Sequence, residues 1–492
     1  MIKMYKKRKL ISALLVCLLL VSCGSGAIDD NVTTDGSTEG TTEGTTEGTA
    51  ETTVSEEELF SSLPTGDFGG ETVKLLGENR TDWAIIQLSS DEIIGELIND
   101  KMYEADRLIE QKLNVKIESK YIQNTWDLPT MIQNAVAAGE DEYDVYDIPS
   151  HIAGTIIQNG YFRDISDLTG ISDKVWWDKN TRDSLTFGGK CYSLLGDVSL
   201  MLGESHYVLF QNKDIAADIG LDNIYDTVKS GKWTLDKFGE HLKKAAQDTN
   251  GNGEMDFEDR WGLGIYSVAM TYFMFAGENP IVQTGDDGIP YFNGVNERTA
   301  DMFDKIRTIL FDTEHTTLAG ANVPEGQDWK NPFMQGRSLY LFEPLGHSKK
   351  MRDSKFDFAI IPMPKYDENQ KEYLTPILQS VHTMYVTVAN QKTDAIGATL
   401  ENMAAEYYKN LRPAYYETVL ENKRVRDDES LEMLEIIFKN RELNPAVVFD
   451  WKITNILNDA ALNGKDAIVS EVESQLTQIQ AAINDTVDFY RQ

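Results

Sequence analysis

The clearest candidate for ligand chemistry is a twelve-residue loop that begins at Asp248. Oxygen donors occupy positions 1, 3, 5, 9 and 12 of this loop, and glycine occupies position 6, where a calcium-binding loop turns sharply. Position 7 would contribute its backbone carbonyl oxygen. The loop therefore predicts a structural Ca²⁺ site, whose ligands are Asp248, Asn250, Asn252, Glu254, Asp256 and Asp259.

Other interpretations of this loop are an unmetallated turn, a calcium sensor and a dockerin-type attachment module. Sensors and dockerins pair two such loops, and the sequence contains no second copy. Position 12 is Asp259 rather than glutamate, so bidentate coordination at that position is less assured. We therefore favour a structural role for the calcium.

Motifs for catalysis are missing from the sequence. It contains no Walker A loop, G-x-S-x-G elbow, H-E-x-x-H helix or C-x-x-C pair, and its six histidines are scattered without metal-ligand spacing. A carboxylate pair for glycoside hydrolysis stays open, because a chain with 80 acidic residues always offers such pairs. The prediction is a binding protein and not an enzyme.

The N-terminus has the order of an export signal: five basic residues, an apolar stretch from Leu10 to Val21, then Ser22 and Cys23. The apolar stretch is too short for a membrane span, which needs about 20 residues. The segment Leu20–Cys23 resembles the lipobox of bacterial lipoproteins. That resemblance implies removal of residues 1–22 and acylation of Cys23, with palmitate-type chains holding the protein at the extracellular face of the cell membrane. A single transmembrane anchor and a plain signal peptide are the alternatives.

Residues 23–66 are predicted to form a disordered linker, because they are rich in threonine, glutamate and glycine and poor in apolar residues. Of the net charge of −34, residues 1–22 contribute +5 and residues 24–60 contribute −10, so the remainder carries −29. This acidic field argues against nucleic acid as a partner. After cleavage and acylation Cys191 is the one remaining thiol, so no disulfide is expected, and we predict that this thiol is buried and unreactive.

Beyond the linker the apolar pattern alternates between strand and helix. Strand-like Val73–Leu76 precedes an amphipathic helix from Ile94 to Leu113, and residues 115–121 alternate as a strand does. A second helix, ending near Gly139, leads to a third strand at 143–148. This alternation predicts an α/β fold with a mostly parallel sheet.

Ligands of such sheets bind beyond the carboxyl ends of the strands. Asp147, Ser150 and His151 occupy that position after the third strand, although Asp147 and Ser150 could equally cap a turn. Further strands are predicted at 339–342, 356–361 and 381–388, and helices at 396–411, 431–438 and 468–487. The chain is long for one α/β domain, so two lobes are expected.

Several motifs, in this order, resemble extracellular solute-binding proteins of ABC importers, in the branch related to maltose-binding protein. The similarity extends from about residue 71 to 490. The motifs are Ile98–Arg107, Ile109–Val115, Trp176–Asp178, Leu185–Tyr192, Gly196–Asp197, Asn212–Lys213, Gly220–Leu221 and Gly231–Lys237.

The resemblance implies a type II, periplasmic-binding-protein-like fold with two lobes, a hinge and C-terminal helices. It assigns residues 67–195 and 376–425 to lobe one, and residues 196–375 and 426–492 to lobe two. The cleft residues that it implies are Asp147, Ser150, Asp197, Tyr266, Tyr272, Phe342, Glu343 and Trp451.

The function implied by the resemblance is capture of a sugar or oligosaccharide outside the cell and its delivery to the permease of an ABC importer, by a monomer that touches the membrane only through its lipid. A surface-tethered glycoside hydrolase and a polysaccharide-binding adhesive lipoprotein are the alternatives.

Overall fold

The computed structural model describes residues 56–79, 86–139, 142–278, 281–421, 428–462 and 468–492. The predicted signal peptide, the predicted lipidation site Cys23 and the linker up to residue 55 lie outside the described residues. The chain divides into two compact units, residues 1–62 and 63–492. The described part of the first unit contains one short helix, α1 (Glu56–Phe60), after which the Ser61 hydroxyl donates to the Glu58 carbonyl oxygen (2.8 Å).

The second unit contains all the strands of the described residues. They are β1 (Glu71–Glu78), β2 (Val115–Ile122), β3 (Val145–Pro149), β4 (Tyr207–Asn212), β5 (Trp261–Ile265), β6 (Val282–Thr284), β7 (Pro290–Phe292), β8 (Thr316–Leu318), β9 (Ser338–Pro344), β10 (Phe358–Ile361), β11 (Thr375–Pro376), β12 (His382–Tyr385) and β13 (Arg441–Glu442).

The α-helices of the second unit follow the same chain order. They are α2 (Leu97–Leu113), α3 (Leu128–Ala138), α4 (Ser150–Gln158), α5 (Lys179–Leu185), α6 (Met201–Glu204), α7 (Lys213–Asp218), α8 (Ile224–Lys229), α9 (Leu235–Ala245), α10 (Ala269–Ala276), α11 (Glu297–Leu310), α12 (Asn331–Met334), α13 (Thr393–Glu406), α14 (Arg412–Glu421), α15 (Asp428–Lys439), α16 (Pro445–Val448), α17 (Ile453–Leu462) and α18 (Ile468–Tyr490). Short 3₁₀ segments lie at Thr125–Asp127, Ile165–Asp167 and Leu345–Met351, and a π-helical turn at Tyr407–Leu411 follows α13.

Two main sheets organise this unit. The first has the strand order β12-β3-β1-β2, in which β1 is parallel to β2 and β3, and β12 is antiparallel to β3. The second has the order β10-β4-β9-β5-β8, with β5 parallel to its two neighbours and β4 antiparallel to its own. We call the body around the first sheet lobe one and the body around the second sheet lobe two.

Chain segments cross between the two lobes more than once. The short strands β11 and β13 pair in parallel where two of these segments run side by side. The last helix, α18, reaches both lobes, because Gln158 of α4 donates its side-chain amide to Thr486 (2.8 Å) and α18 also packs against β7. The predicted lobe boundaries stay a prediction.

The local reasons for these elements are visible at their ends. Helix α2 buries Met102, Ala105 and Ile109 on one face and stops at Asn114, whose φ of 49° is left-handed. Helix α3 stops at Gly139 (φ 68°), as the sequence predicts. None of the helices in the described ranges combines the length and the apolar character that a membrane span needs.

Each predicted strand and helix has a counterpart in the structure, but several bounds differ. The strands predicted at 143–148, 356–361 and 381–388 are β3, β10 and β12, each of which begins one or two residues later, and β12 ends three residues earlier than predicted. Helix α2 begins at Leu97 rather than at Ile94, because Gly95 adopts a left-handed φ of 84° and Ile94 lies exposed outside the helix. The sheets are mixed rather than mostly parallel, because β4, β10 and β12 run antiparallel to a neighbour. Cys191 is buried as predicted, and burial raises the pKa of its thiol to about 11.

Candidate functional site

A buried group of three charged side chains lies at the carboxyl edge of the first sheet. His382, on β12, places its Nδ1 atom 2.9 Å from Asp147 Oδ2 and its Nε2 atom 3.1 Å from Glu78 Oε2. All three side chains are buried, and they come from the neighbouring strands β12, β3 and β1. We call this group the charged triad; it ties three strand ends together by hydrogen bonds between opposite charges.

The electrostatics of the charged triad favour a protonated histidine. Burial alone lowers the pKa of the His382 imidazole, but the adjoining carboxylates of Asp147 and Glu78 outweigh burial and raise that pKa to about 9. The imidazolium therefore persists at neutral pH between two carboxylates. The other oxygen of Asp147, Oδ1, is buried and has no hydrogen-bond partner among the described residues.

Gln379 lies at the contact between the two lobes. Its carbonyl oxygen accepts a hydrogen bond from the Ser150 hydroxyl (2.8 Å) and lies 3.2 Å from His151 Nδ1, both at the start of α4. Its backbone N–H donates to the Tyr272 hydroxyl of lobe two (3.0 Å). The His151 ring meets Trp126 edge to face at 5.9 Å between ring centroids, and Trp126 is 70% exposed.

Lobe two contributes an aromatic cluster at the facing edge. The rings of Tyr207 and Tyr272 lie 4.0 Å apart, and the hydroxyls of Tyr207 and Tyr266 are hydrogen-bonded to each other. Tyr266 follows the carboxyl end of β5 and stacks on Trp329 at 5.3 Å, with an angle of 24° between the rings. Burial raises the pKa of Tyr266 and Tyr272 well above the ordinary tyrosine range, so both hydroxyls stay protonated.

Charged side chains adjoin this aromatic cluster. Glu343, near the carboxyl end of β9, is buried and lies 2.6 Å from His347 Nδ1 and 3.7 Å from Lys330 Nζ. The Lys330 ammonium also lies over the Trp329 ring, 4.6 Å from its centroid. An aromatic platform thus adjoins groups that can donate to and accept from a polar ligand.

A cavity of about 900 Å³ opens beside the charged triad. Lobe one supplies most of its wall, including Glu78, Arg107 and Tyr121, and lobe two supplies Lys349. Its volume lies within the range of small-ligand sites, roughly 300–1,000 Å³. Its wall shares Glu78 with the charged triad and no residue with the contacts around Gln379 or the aromatic cluster. We take the charged triad, the contacts around Gln379 and the aromatic cluster together as the candidate solute site.

Other predicted cleft residues are less accessible to a ligand. Asp197 lies in an ion pair with Arg412 (2.9 Å), and burial raises the pKa of its carboxyl, although Arg412 opposes that rise. Phe342 is fully buried in β9 and stacks on Tyr207 at 4.6 Å. Trp451 is also buried and donates its indole N–H to Thr486 (2.9 Å). The rings of Phe342 and Trp451 have almost no exposed face, so in this structure they pack against neighbouring residues.

The predicted calcium loop lies between α9 and β5. Gly253 has the left-handed φ of 88° that the sharp turn requires, and the Asp248 carboxylate accepts from the backbone N–H of Gly251 and Gly253 (2.6 and 2.8 Å). Asp259 is buried and accepts from the backbone N–H of Thr249 and Asp256 (2.8 Å each).

The chemistry of these donors fits Ca²⁺, which prefers oxygen ligands. Asp256 Oδ2 accepts from the amides of Asn250 and Asn252 (2.8 and 2.9 Å), so a bound ion would have to replace those amide hydrogens. Glu254 is exposed, and its backbone N–H donates to the Asn252 side chain (2.8 Å). Within the described ranges no three Asp, Glu, His or Cys side chains form a metal-holding group.

Several residues of the candidate site were not predicted from the sequence: Glu78, Trp126, Tyr207, Trp329, Lys330, Gln379 and His382. Trp126 follows β2, and a search along strand ends for exposed aromatic rings could have found it. Gln379 and His382 carry no such signal, because the side chains that they contact lie more than 100 positions away in the chain. Of the predicted residues, the structure brings Ser150 and Tyr272 together at Gln379 and joins Tyr266 to Tyr272 through Tyr207.

The comparisons with known proteins agree with this architecture. Residues 104–403, more than half of the chain, match the family described as bacterial extracellular solute-binding protein. The chain therefore belongs to that family, whose resemblance the sequence motifs predict. No curated protein matches the chain.

Solved structures share the two-lobed type II fold at low sequence identity. An ABC substrate-binding protein of Listeria monocytogenes in complex with cycloalternan has a TM-score of 0.55 and 16% identity, covering 84% of this chain and 99% of that one. The galacto-N-biose/lacto-N-biose I-binding protein of Bifidobacterium longum has a TM-score of 0.55 and 13% identity, with coverage of 86% and 99%. The maltose-maltodextrin binding protein of Alicyclobacillus acidocaldarius has a TM-score of 0.51 and 14% identity, with coverage of 83% and 100%. The predicted fold is confirmed.

Proposed function

We propose that this protein captures a sugar or oligosaccharide outside the cell and delivers it to the permease of an ABC importer, without catalysing a reaction on it. The observation that carries the proposal is a continuous series of contacts between the lobes. It begins at exposed Trp126 and ends at the stacked pair Tyr266 and Trp329, and the residues between them are His151, Gln379, Tyr272 and Tyr207. This series brings aromatic rings and polar groups of both lobes to one place.

The chemistry of the site suits a carbohydrate. Sugar rings have apolar faces that stack on aromatic side chains, and their hydroxyls pair with carboxylates, amides and ammonium groups. Trp126 offers an accessible ring, and Glu343 and Lys330 adjoin the Trp329 platform. Similar structures whose names include cycloalternan, lacto-N-biose or maltodextrin support the same ligand class.

Contact with both lobes implies closure on the ligand. Gln379 touches lobe one through its carbonyl oxygen and lobe two through its N–H, so a change of lobe angle alters its hydrogen bonds. We propose that the solute stabilises the closed arrangement, which the permease then recognises. One copy of the protein, acting as a monomer, is sufficient to deliver the solute to the permease.

We propose that the N-terminal export signal and Cys23 determine where the protein is located. Cleavage before Cys23 and acylation of that cysteine would tether the protein to the extracellular face of the membrane, and at least two acyl chains are needed for stable anchoring. Mass spectrometry of the protein purified from membranes would show an N-terminal cysteine with added acyl mass. An intact signal segment or an unmodified Cys23 would contradict the anchor.

A glycan panel tests the solute class. We expect one or more sugars to raise the melting temperature of the full-length protein, because a ligand at one hundred times its Kd stabilises the native state by about 2.7 kcal/mol. Replacing Trp126 by alanine should weaken that binding by about tenfold, from lost stacking. Tyr291→Ala, which removes another exposed ring, is the control and should bind normally.

The outcomes separate the alternatives. No response to any glycan would remove the carbohydrate assignment while leaving transport of another solute intact. Equal affinities of the Trp126→Ala and Tyr291→Ala variants would show that the solute binds elsewhere. Release of shorter sugars from an oligosaccharide would favour a tethered hydrolase over a transport receptor.

We further propose that the loop from Asp248 to Asp259 binds a structural Ca²⁺. A bound ion would neutralise Asp248, Asp256 and Asp259 and fix the connection between α9 and β5. Adding calcium to chelator-treated protein should raise its melting temperature, and Asp248→Asn should reduce that rise. An identical melting temperature with calcium and with chelator would exclude the site.

A further inference from the structure

Three exposed aliphatic side chains lie within five residues of one another at the start of α2. Ile93 and Ile94 precede the helix and Leu97 is its first residue, and their exposed fractions are 64%, 53% and 45%. Single exposed apolar residues are common on protein surfaces, but contiguous ones mark sites of interaction. We call these three residues the apolar patch; they belong neither to the candidate solute site nor to the calcium loop.

Side chains from the first turn of α2 hold the segment that carries the patch. The Asp100 carboxylate accepts from the backbone N–H groups of Ile94 and Gly95 (3.0 and 3.2 Å). The Asn99 amide donates to the Glu92 carbonyl oxygen (2.8 Å), and Gly95 supplies the left-handed φ of 84° that the turn needs. A surface that is fixed before binding loses little conformational entropy on binding, so the two isoleucines are suited to insert into a pocket of a partner.

Carboxylates flank the apolar patch. Asp91, Glu92 and Glu96 are all exposed, and they lie in the same segment as the two isoleucines. Complementary charge therefore favours a partner whose apolar pocket has a basic rim. The same carboxylates disfavour a second copy of this chain, which would present like charges, and a membrane surface of anionic lipids.

The apolar patch adjoins the 900 Å³ cavity, which both lobes line. Exposed Asp91, two residues before Ile93, is part of the cavity wall, together with Glu78 of the charged triad and Lys349 of lobe two. A partner that contacts the patch therefore lies beside a place where the arrangement of the two lobes is visible from outside. A membrane protein that takes over the solute has to recognise that arrangement.

We propose that the apolar patch docks into an apolar pocket with a basic rim on the extracellular face of the permease. This inference rests on the proposed transport function and adds to it the surface of this chain that the permease contacts. Ile93 and Ile94 are the anchors that fill the pocket, and Glu92 and Glu96 pair with the basic rim. Because the patch lies outside the candidate solute site, its loss impairs delivery of the solute and not its capture.

Uptake of the responding glycan tests the docking surface, in cells that lack the gene and receive full-length variants. Ile93→Ser combined with Ile94→Ser should lower the uptake rate at least about tenfold, while the glycan raises the melting temperature of this variant as it does for the wild type. Val175→Ser combined with Leu476→Ser removes two other exposed aliphatic side chains (55% and 42% exposed) and should transport normally.

The outcomes distinguish the docking surface from the transport function. Normal uptake by the variant with both isoleucines replaced would overturn the docking surface alone. Uptake that survives deletion of the gene would overturn the transport function, and the docking surface with it.

Charge reversal tests the basic rim of the partner. Glu92→Lys combined with Glu96→Lys should lower uptake by about tenfold, because like charges then meet at the rim. Glu325→Lys combined with Glu473→Lys changes two exposed glutamates elsewhere and is the matched control. Equal uptake by the two double variants would overturn the basic rim.

A photoreactive side chain identifies what covers the patch. We expect p-benzoylphenylalanine in place of Ile94, in the full-length protein on intact cells, to cross-link on irradiation to a permease subunit identified by mass spectrometry. A cross-link to a second copy of the chain or to lipid, or no more cross-linking than from the same group in place of Leu476, would overturn the proposal.

Discussion

The two edges of the candidate solute site are held by different forces. The lobe-one edge is tied by the charged triad of Glu78, His382 and Asp147, which joins three strand ends through buried opposite charges. The lobe-two edge is held by ring packing and tyrosine hydroxyls around Tyr207 and Tyr266. The first edge should depend strongly on protonation, and the second should not.

The largest effect is expected from breaking the charged triad. His382→Gln leaves two buried carboxylates without their cation, so the free energy of unfolding at pH 7 should fall by about 3–5 kcal/mol in urea denaturation. His241→Gln is the control in lobe two. His241 is buried, bonds the Tyr340 hydroxyl (2.8 Å) and has its pKa lowered to about 4, mainly by burial, so it is neutral. That variant should lose only about 1–2 kcal/mol. Equal losses would contradict the comparison.

The second prediction concerns pH. The folded pKa of His382, about 9, exceeds the ordinary value of 6.5, so the native state holds this proton more tightly than the unfolded chain. The stabilisation of the native state by protonated His382 is fully present below pH 6.5 and is lost as the pH rises through 9, by an amount on the order of 3 kcal/mol. The stability difference between wild type and His382→Gln should therefore shrink between pH 7 and 10.

Subtracting the stability of the His382→Gln variant from that of the wild type cancels the contributions of the other buried titratable groups. Asp106 also titrates near neutrality, because burial raises its pKa to about 7, and it contributes equally to both proteins. The difference between wild type and His241→Gln should stay constant over the same pH range. A constant difference for His382→Gln as well would show that the triad does not hold an extra proton.

A smaller effect is expected in the aromatic edge. Tyr266→Phe keeps the stacking on Trp329 and removes the hydroxyl that bonds Tyr207, so unfolding should become easier by about 1 kcal/mol. The loss should be the same at pH 7 and pH 9, because both hydroxyls stay protonated. A loss that grows with pH would mean that the two edges do not differ as described.

The smallest effect on stability is expected at Trp126. Its ring is mostly exposed, so Trp126→Ala should change the free energy of unfolding by no more than about 0.5 kcal/mol while weakening solute binding. Thermal melts without and with the responding glycan measure both quantities in one experiment. A large loss of stability without ligand would show that the ring holds the fold instead of the solute.

Much of the local structure follows from the sequence. Apolar periodicity predicts α2, alternation predicts β2, and Gly139 and Gly253 mark the turns that they form. These features depend on neighbours within a few positions, which the sequence displays directly. The family itself follows from motif order, and the match over residues 104–403 confirms it.

The tertiary structure alone decides which side chains share a site. Glu78 and Asp147 lie 304 and 235 positions from His382, and strand pairing brings them within hydrogen-bond distance. It also buries Phe342 and Trp451 while leaving Trp126 exposed, although all three are aromatic residues near predicted element ends. Residue type and spacing determine the elements, whereas exposure and partnership arise only when distant strands pack against one another.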